Sequence, residues 1–169
     1  AMLKHPGNDQ HGGADMNIIT LTQGKVTQVS DVQFDWLSQW VWNAQYIKGK
    51  WYAVRKEGKI PFRKTIYMHR EIMNAPKGVL VDHKDNDGLN NQDENLRECT
   101  NSQNQMNKAV RSDSQLGEKC ISPSRNGFRV QVKKDGKCVF DKTYRTIDDA
   151  ITARDNAVKK HHGEFSFLP

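Results

Sequence analysis

Asp82 and His83 close a short apolar run, Val79-Leu80-Val81, and open a polar, turn-rich stretch that ends near Asn104 and Asn107. A carboxylate and an imidazole at a strand end, with a polar helix returning beside them, have the makings of a metal-assisted hydrolytic site. Cleaving a phosphodiester near neutral pH needs an activated water, a cation to neutralise developing charge and an oriented leaving group. A histidine suits the general base, because its ordinary pKa lies close to the working pH. A hard divalent cation prefers oxygen, which the Asp82 carboxylate and an asparagine carbonyl on a facing helix can supply. Adjacent strand residues point to opposite sides unless the strand ends there. An end at His83 lets one ligate while the other addresses the water.

The helix that must return is written just downstream. Thr100 or Asn101 can cap it, which places Asn104 one turn in and puts Asn104 and Asn107, at i and i+3, on one face. Asparagine is a mediocre residue inside a helix, so two on one face hint at a task. Alone they read as solvated surface, and beside Asp82-His83 they read as part of a site.

Other elements must hold these groups. Residues 1–16 carry three Gly, a Pro and almost nothing apolar, the composition of a flexible tail. Residues 17–29 predict a hairpin, with Ile18-Ile19-Thr20-Leu21 and Val26-Thr27-Gln28-Val29 around a Gly24 turn. Ser30-Asp-Val-Gln33 has the capping-box spacing for a helix over about 31–40, with Leu37 and Trp40 on its buried stripe. Strands are expected at Val41–Tyr46, Trp51–Val54 and Lys64–Met68, and one or two helical turns at 69–75 before Pro76. The aromatic residues here fit the core of a small module better than base-stacking platforms. Isolated His69 reads as a packing residue. Ser112, Ser114 and Gly117 mark a linker over 112–117.

Beyond it, Phe128–Lys133 alternates apolar and polar residues with period two, and Asp135-Gly136 is a two-residue hairpin signal. Thr146 then caps a helix in which Ile147, Ala150, Ile151, Ala157 and Val158 recur at helical spacing. Three antiparallel strands with one covering helix result. His161-His162 reads as a helix end, since adjacent helical positions diverge.

Composition bounds the partners. The chain has 169 residues, is 36% hydrophobic and carries a formal net charge of +6, with a mean hydropathy of −0.84. Small modules are expected rather than one large core, and the basic balance favours phosphate-bearing partners. The three cysteines, Cys99, Cys120 and Cys138, include no Cys-x-x-Cys pair, which argues against a zinc knot or a disulfide framework and for a reducing interior. No apolar run approaches the roughly 20 residues of a membrane span.

Asp82-His83, Asn90-Asn91, Glu94-Asn95-Leu96-Arg97, Thr100 and Asn104, in the order strand, loop, strand, helix, resemble the HNH endonuclease motif with its ββα-metal fold. The resemblance implies His83 as general base, Asp82 as metal ligand and Asn95 as the asparagine that fixes the loop and orients the histidine. It implies Asn104 as the second metal ligand, where many family members have histidine. That departure matches the branch common in phage and intron-encoded enzymes. It implies one divalent ion, Mg²⁺ or Mn²⁺ rather than Zn²⁺. The chain lacks the zinc knuckles that brace some relatives, so residues 17–78 must brace the motif.

Gly127-Phe-Arg-Val, the Asp135-Gly136-Lys137 hairpin, Tyr144-Arg-Thr-Ile-Asp-Asp-Ala150 and His162-Gly-Glu-Phe165 resemble an AP-two domain of the ethylene-response-factor type, a DNA-binding sheet. Carried over, Arg125, Arg129, Gln131 and Lys133 become DNA contacts, arginine able to read guanine edges and lysine to meet phosphate. Residues 115–169 hold eleven Lys and Arg against seven Asp and Glu, most of the chain's positive excess.

The expectation is therefore an α+β protein. A tail over 1–16 precedes an N-terminal mixed module over 17–78, which braces an HNH motif over 79–111. A linker over 112–117 leads to a three-stranded antiparallel sheet with one packing helix over 118–169. Its expected function is that of an intracellular, metal-dependent, site-preferring DNA endonuclease of phage, homing or mobile-element type. It would nick double-stranded DNA as a monomer or weak dimer, without an obligate protein partner or membrane. The alternative is a non-catalytic DNA-binding regulator that carries an HNH relic.

Overall fold

A computed structural model describes residues 16–110 and 114–166. The expected tail, apart from Met16, and the first part of the expected linker lie outside the described residues.

The chain is a mixed α+β protein built from several small sheets and few helices. Strands β1 (Met16–Thr20) and β2 (Val26–Ser30) form the expected antiparallel hairpin. Helix α1 (Asp31–Leu37) follows directly and is shorter than the expected 31–40, its last residues forming turns. The expected capping box at Ser30 and Gln33 does not form. The Ser30 Oγ accepts instead from the Asp93 backbone N–H at 2.8 Å, and Gln33 Nε2 donates to Asp93 Oδ1 at 3.3 Å. A tertiary partner has displaced a local one.

A second sheet joins β3 (Asn43–Ile47), β4 (Lys50–Glu57) and β5 (Lys64–Tyr67), all antiparallel. Lys48 and Gly49 both take positive φ, +48° and +88°, the backbone of a tight two-residue hairpin turn. Helix α2 (Met68–Ile72) continues straight from β5. Strand β6 (Leu80–His83) then pairs antiparallel with β8 (Leu96–Cys99), and α3 (Asn101–Met106) follows. Thr100 caps α3, its Oγ1 accepting from the Gln103 N–H while the Gln103 side chain accepts from the Thr100 N–H. The intervening loop contributes a short strand, β7 (Asn90–Asn91), parallel to β2 in the first sheet.

The last sheet has the order β11 (Lys137–Tyr144), β10 (Gly127–Lys134), β9 (Ile121–Ser124), with α4 (Ile147–His162) covering one face. Asp135 and Gly136 supply the expected positive-φ turn, and Thr146 caps α4 by accepting from the Asp149 N–H. A Cβ at Gly127 would meet the Tyr144 carbonyl oxygen at 2.1 Å, so the sheet closes only on glycine there.

Apolar residues gather in two clusters, as the low hydrophobic fraction requires. One holds Ile19, Val29, Leu37, Trp42, Ala53 and Met68. The other holds Ile121, Val130, Val132, Ala150, Ala157 and Val158. Trp42 is fully buried and Trp51, Trp36 and Trp40 pack against the first cluster, so these tryptophans are core, whereas Tyr46 is exposed. Arg97 of β8 donates to the Glu164 carbonyl at 2.6 Å and Asp135 N–H donates to Ser102 Oγ at 3.1 Å, which tie the C-terminal sheet and helix to β8 and α3. No helix among the described residues is long and apolar enough to cross a membrane.

Candidate functional site

Strand β6 ends at His83, and Asp82 and His83, both buried, line one cavity of about 300 Å³. Asn104 reaches the same cavity from α3, and Lys50, Tyr52, Tyr67 and His69 reach it from β4, β5 and α2. Three of the four residues singled out at the motif thus share one space. Asn95 does not line it.

The His83 ring is held by a chain of hydrogen bonds whose direction can be read. Thr27 Oγ1 donates to the Leu89 carbonyl at 2.7 Å and accepts from Asn91 Nδ2 at 2.7 Å. Asn91 therefore presents its Oδ1 to His83 Nε2, at 3.2 Å. A carbonyl oxygen can only accept, so Nε2 carries the proton and Nδ1 keeps the lone pair. Burial, the largest influence, lowers the pKa of His83, against the raising effects of the Asn91 hydrogen bond and of Asp85 and Asp82. The ring is held neutral, ready to accept a proton on Nδ1.

The asparagine hydrogen-bonded to the His83 ring is Asn91, whereas Asn95, expected both to fix the loop and to orient the histidine, makes no hydrogen bond to the ring. Asn95 bonds within the loop. Its Oδ1 accepts from the Asp85 N–H at 3.1 Å, and its Nδ2 donates to Asp85 Oδ1 at 2.9 Å and to the Asn90 carbonyl at 2.7 Å. Parallel pairing of β7 with β2 explains the exchange, because it carries Asn91 inward against Thr27.

Asp82 lies directly across the ladder from Arg97, whose Nε and Nη2 donate to Oδ2 at 3.0 and 2.9 Å. Asn107 Nδ2 donates to Asp82 Oδ1 at 3.1 Å and to the His83 carbonyl at 2.8 Å. These three donors leave room on Oδ1 for one further ligand, since a carboxylate offers about four lone-pair sites. Among the described residues the Asn104 amide has no hydrogen-bond partner, so its oxygen is available. No group of three or more His, Cys, Asp or Glu gathers among the described residues. The oxygens that could hold a cation here are those of Asp82 and Asn104, a set unlike a zinc cage and of the kind a hard cation keeping most of its waters would accept.

Lys50 brings a positive charge to the cavity, with Nζ donating to Asn86 Oδ1 at 2.7 Å. Burial lowers its pKa, opposed chiefly by Asp82 and Asp85. A Cβ at Gly88 would strike the Trp51 carbonyl oxygen at 2.3 Å, so only glycine lets the loop after His83 lie against β4. The sequence assigns no role to Lys50, Asn91 or Arg97 and expects His69 only to pack, yet His69 lines the cavity. Asn91 and Arg97 stand inside the quoted pattern, while Lys50 and His69 belong to elements distant in sequence.

The C-terminal candidates share the polar face of β10, opposite α4, or the turn before it. Arg129 is exposed and pairs with Asp141 of β11 through Nε–Oδ1 at 2.8 Å and Nη2–Oδ2 at 2.5 Å. Gln131 donates to the same carboxylate at 3.2 Å. Gln131 and Lys133 line a groove of about 520 Å³ shared with Asn101, Ser102 and Gln105. Arg125 stands exposed at the far end, in the turn between β9 and β10. The polar stripe therefore starts beside α3 and runs outward. His162 is a buried helix-end residue whose Nε2 donates to the Lys133 carbonyl at 2.9 Å.

Residues 74–106 match the family model described as HNH endonuclease. An uncharacterised HNH endonuclease of Acanthamoeba polyphaga mimivirus is 30% identical over 126 residues, covering 70% of this chain and 66% of that protein. The chain thus spans just under two thirds of this relative's length. No solved structure matches the chain. The strand, loop, strand and helix that bring Asp82, His83 and Asn104 to one cavity lie within the segment that matches the HNH endonuclease model.

Proposed function

We propose that the protein is a metal-dependent DNA endonuclease that nicks double-stranded DNA with site preference. The observation that carries this is the fixed polarity of the Thr27–Asn91–His83 chain, which holds a neutral base beside the oxygen pair of Asp82 and Asn104. His83 Nδ1 takes a proton from the attacking water as a new P–O bond forms. The ester P–O bond on the far side breaks and the leaving oxygen is protonated from solvent. Asp82 and the Asn104 carbonyl would hold one divalent cation, Mg²⁺ or Mn²⁺, which neutralises charge on the phosphoryl group. Lys50 adds a positive charge at the cavity, and Asn95 keeps the loop that shapes it.

The C-terminal sheet serves as the DNA-docking surface, in the manner of an AP-two domain, with Arg125, Arg129, Gln131 and Lys133 toward the duplex. Its stripe begins beside α3, so DNA lying on it passes close to the catalytic helix. One cavity cuts one strand, so a monomer or weak dimer nicks, and a double-strand break takes two events. The viral relative is in keeping with a mobile-element setting.

A specific observation favours a second possibility, a DNA-binding regulator with an inactive site. Arg97 already neutralises Asp82, and a two-oxygen donor set binds metal weakly on its own. Supercoiled plasmid incubated with Mg²⁺ or Mn²⁺ separates the two, with EDTA as control. Open-circular product that disappears in His83→Ala, with duplex affinity retained, is expected. Undiminished metal-dependent nicking by His83→Ala would remove the catalytic assignment, and absence of nicking by the native protein would favour the regulator.

A further inference from the structure

We propose that His69 is a further catalytic residue, which donates a hydrogen bond from Nε2–H to a non-bridging oxygen of the phosphodiester that His83 addresses. This role rests on the nuclease function proposed above.

His69 sits in the first turn of α2, buried, and lines the same cavity as Asp82, His83 and Asn104. Its ring centroid is 5.0 Å from that of His83, with the planes at 75°. Tyr52 and Tyr67 flank it at 5.7 and 5.5 Å. Its Nδ1 is buried without a hydrogen-bond partner, and no described residue hydrogen-bonds either ring nitrogen. An unpartnered buried polar group is costly, and a phenylalanine in the same place would avoid that cost. That Nδ1 is sealed from the cavity, which leaves Nε2 as the ring nitrogen able to meet something bound in the space that His69 lines.

The chemistry of the ring selects what that is. Buried N–H groups without acceptors are rarer than under-satisfied acceptors, which leaves the proton on Nε2 and the lone pair on buried Nδ1. Burial above all, then the nearby His83 and Arg70, lowers the pKa to about 3, so the donor is uncharged at neutral pH. A neutral N–H facing a cavity suits an oxygen that gains negative charge in the transition state. His69 transfers no proton, and the water's proton goes to His83.

The test compares His69→Phe, His69→Ala and His69→Gln in the full chain, with plasmid nicking at saturating DNA from pH 6 to 9 and duplex affinity in EDTA. The phenylalanine variant preserves packing and is expected to lose about 100-fold in kcat, within the range for one lost oxyanion donor. Glutamine keeps an N–H and should recover at least about tenfold of that, in line with a hydrogen bond of ordinary strength. The deficit should be equal at every pH. Native-like nicking by His69→Phe, a glutamine variant no better than phenylalanine, or a deficit that changes with pH would overturn the role. A second readout does not need turnover. In ¹⁵N-histidine-labelled protein, a short duplex added in EDTA should shift the His69 Nε2–H resonance, and an unmoved resonance would count against the contact. Native protein that fails to nick removes the nuclease function and leaves this spectroscopic test standing.

Discussion

Arg97 grips Asp82 from directly across the β6–β8 ladder, and its guanidinium lies 3.9 Å from the Phe165 ring centroid, beyond α4 in the sequence. The pair is buried on both sides, so removing one partner leaves an uncompensated charge. Breaking such a pair costs roughly 3–5 kcal/mol. Arg97→Ala should lower the unfolding free energy by that amount in urea titration. Phe165→Ala should cost about 3–5 kcal/mol as a large-to-small change. It should also weaken nicking although Phe165 lines no part of the cavity. Unchanged kcat in a folded Phe165→Ala protein would show that the C-terminal contact is irrelevant to the site.

Thr27 lies 64 residues before Asn91, yet it fixes which way the Asn91 amide faces. Thr27→Val keeps the shape and removes the hydroxyl, so Asn91 Nδ2 loses its acceptor, while the Leu89 carbonyl loses one of two donors and keeps the Gln28 N–H. The amide is then free to turn its nitrogen toward His83 and favour the wrong tautomer. Nicking is expected to fall by roughly 10–100-fold, by analogy with the loss of a partner that orients a metal-ligating histidine. Thr27→Ser should stay near native. Equal rates for the valine and serine variants would exclude the orienting role.

How much of this was legible in the sequence follows from what each signal depends on. Asp82-His83, the Thr100 cap and the helix bearing Asn104 are local, so spacing alone located them. The Asp135-Gly136 hairpin and the alternation of Phe128–Lys133 are local too. Asn91 was not separable from Asn95, because the difference lies in the long-range pairing of β7 with β2. Ser30 has cap spacing, but Asp93 is the stronger partner in the fold. His69 carries no periodic signature, and only the packing of α2 against β4 brings it to His83. Asp141 could be placed opposite Gln131 only from the strand register.

Acid should loosen the fold through His69. Its pKa is about 3 when folded, against about 6.5 in an unfolded chain, so the unfolded state binds the proton first as pH falls. The contribution is complete above about pH 6.5 and is lost progressively toward pH 3, at up to about 1.4 kcal/mol per pH unit. The groups around the ring, His83, Arg70, Tyr52 and Tyr67, offer no negative charge to stabilise the imidazolium. Carboxylates titrate in the lower part of the same window, so the comparison is with His69→Gln. Melts of the two proteins from pH 7 to 4 should diverge, the native protein losing stability more steeply. Parallel curves would mean that the ring is not held neutral.

On the docking face proposed above, Asp141 sets how much of the β10 stripe is left free. Its carboxyl is held down at about pKa 2 by hydrogen bonds from Arg129 and Gln131, so at neutral pH it is ionised and occupies both side chains. A carboxylate amid the stripe repels phosphate and cancels one arginine charge. Asp141→Asn should therefore tighten binding to a random-sequence duplex and steepen the plot of log affinity against log salt by about 0.9, one additional phosphate contact. Arg129→Ala should do the opposite, weakening binding and flattening the slope by about 1. Fluorescence anisotropy across a salt series measures both. If neither variant moves the slope, the duplex does not lie on this face, and the contacts must come from the surface around the cavity itself.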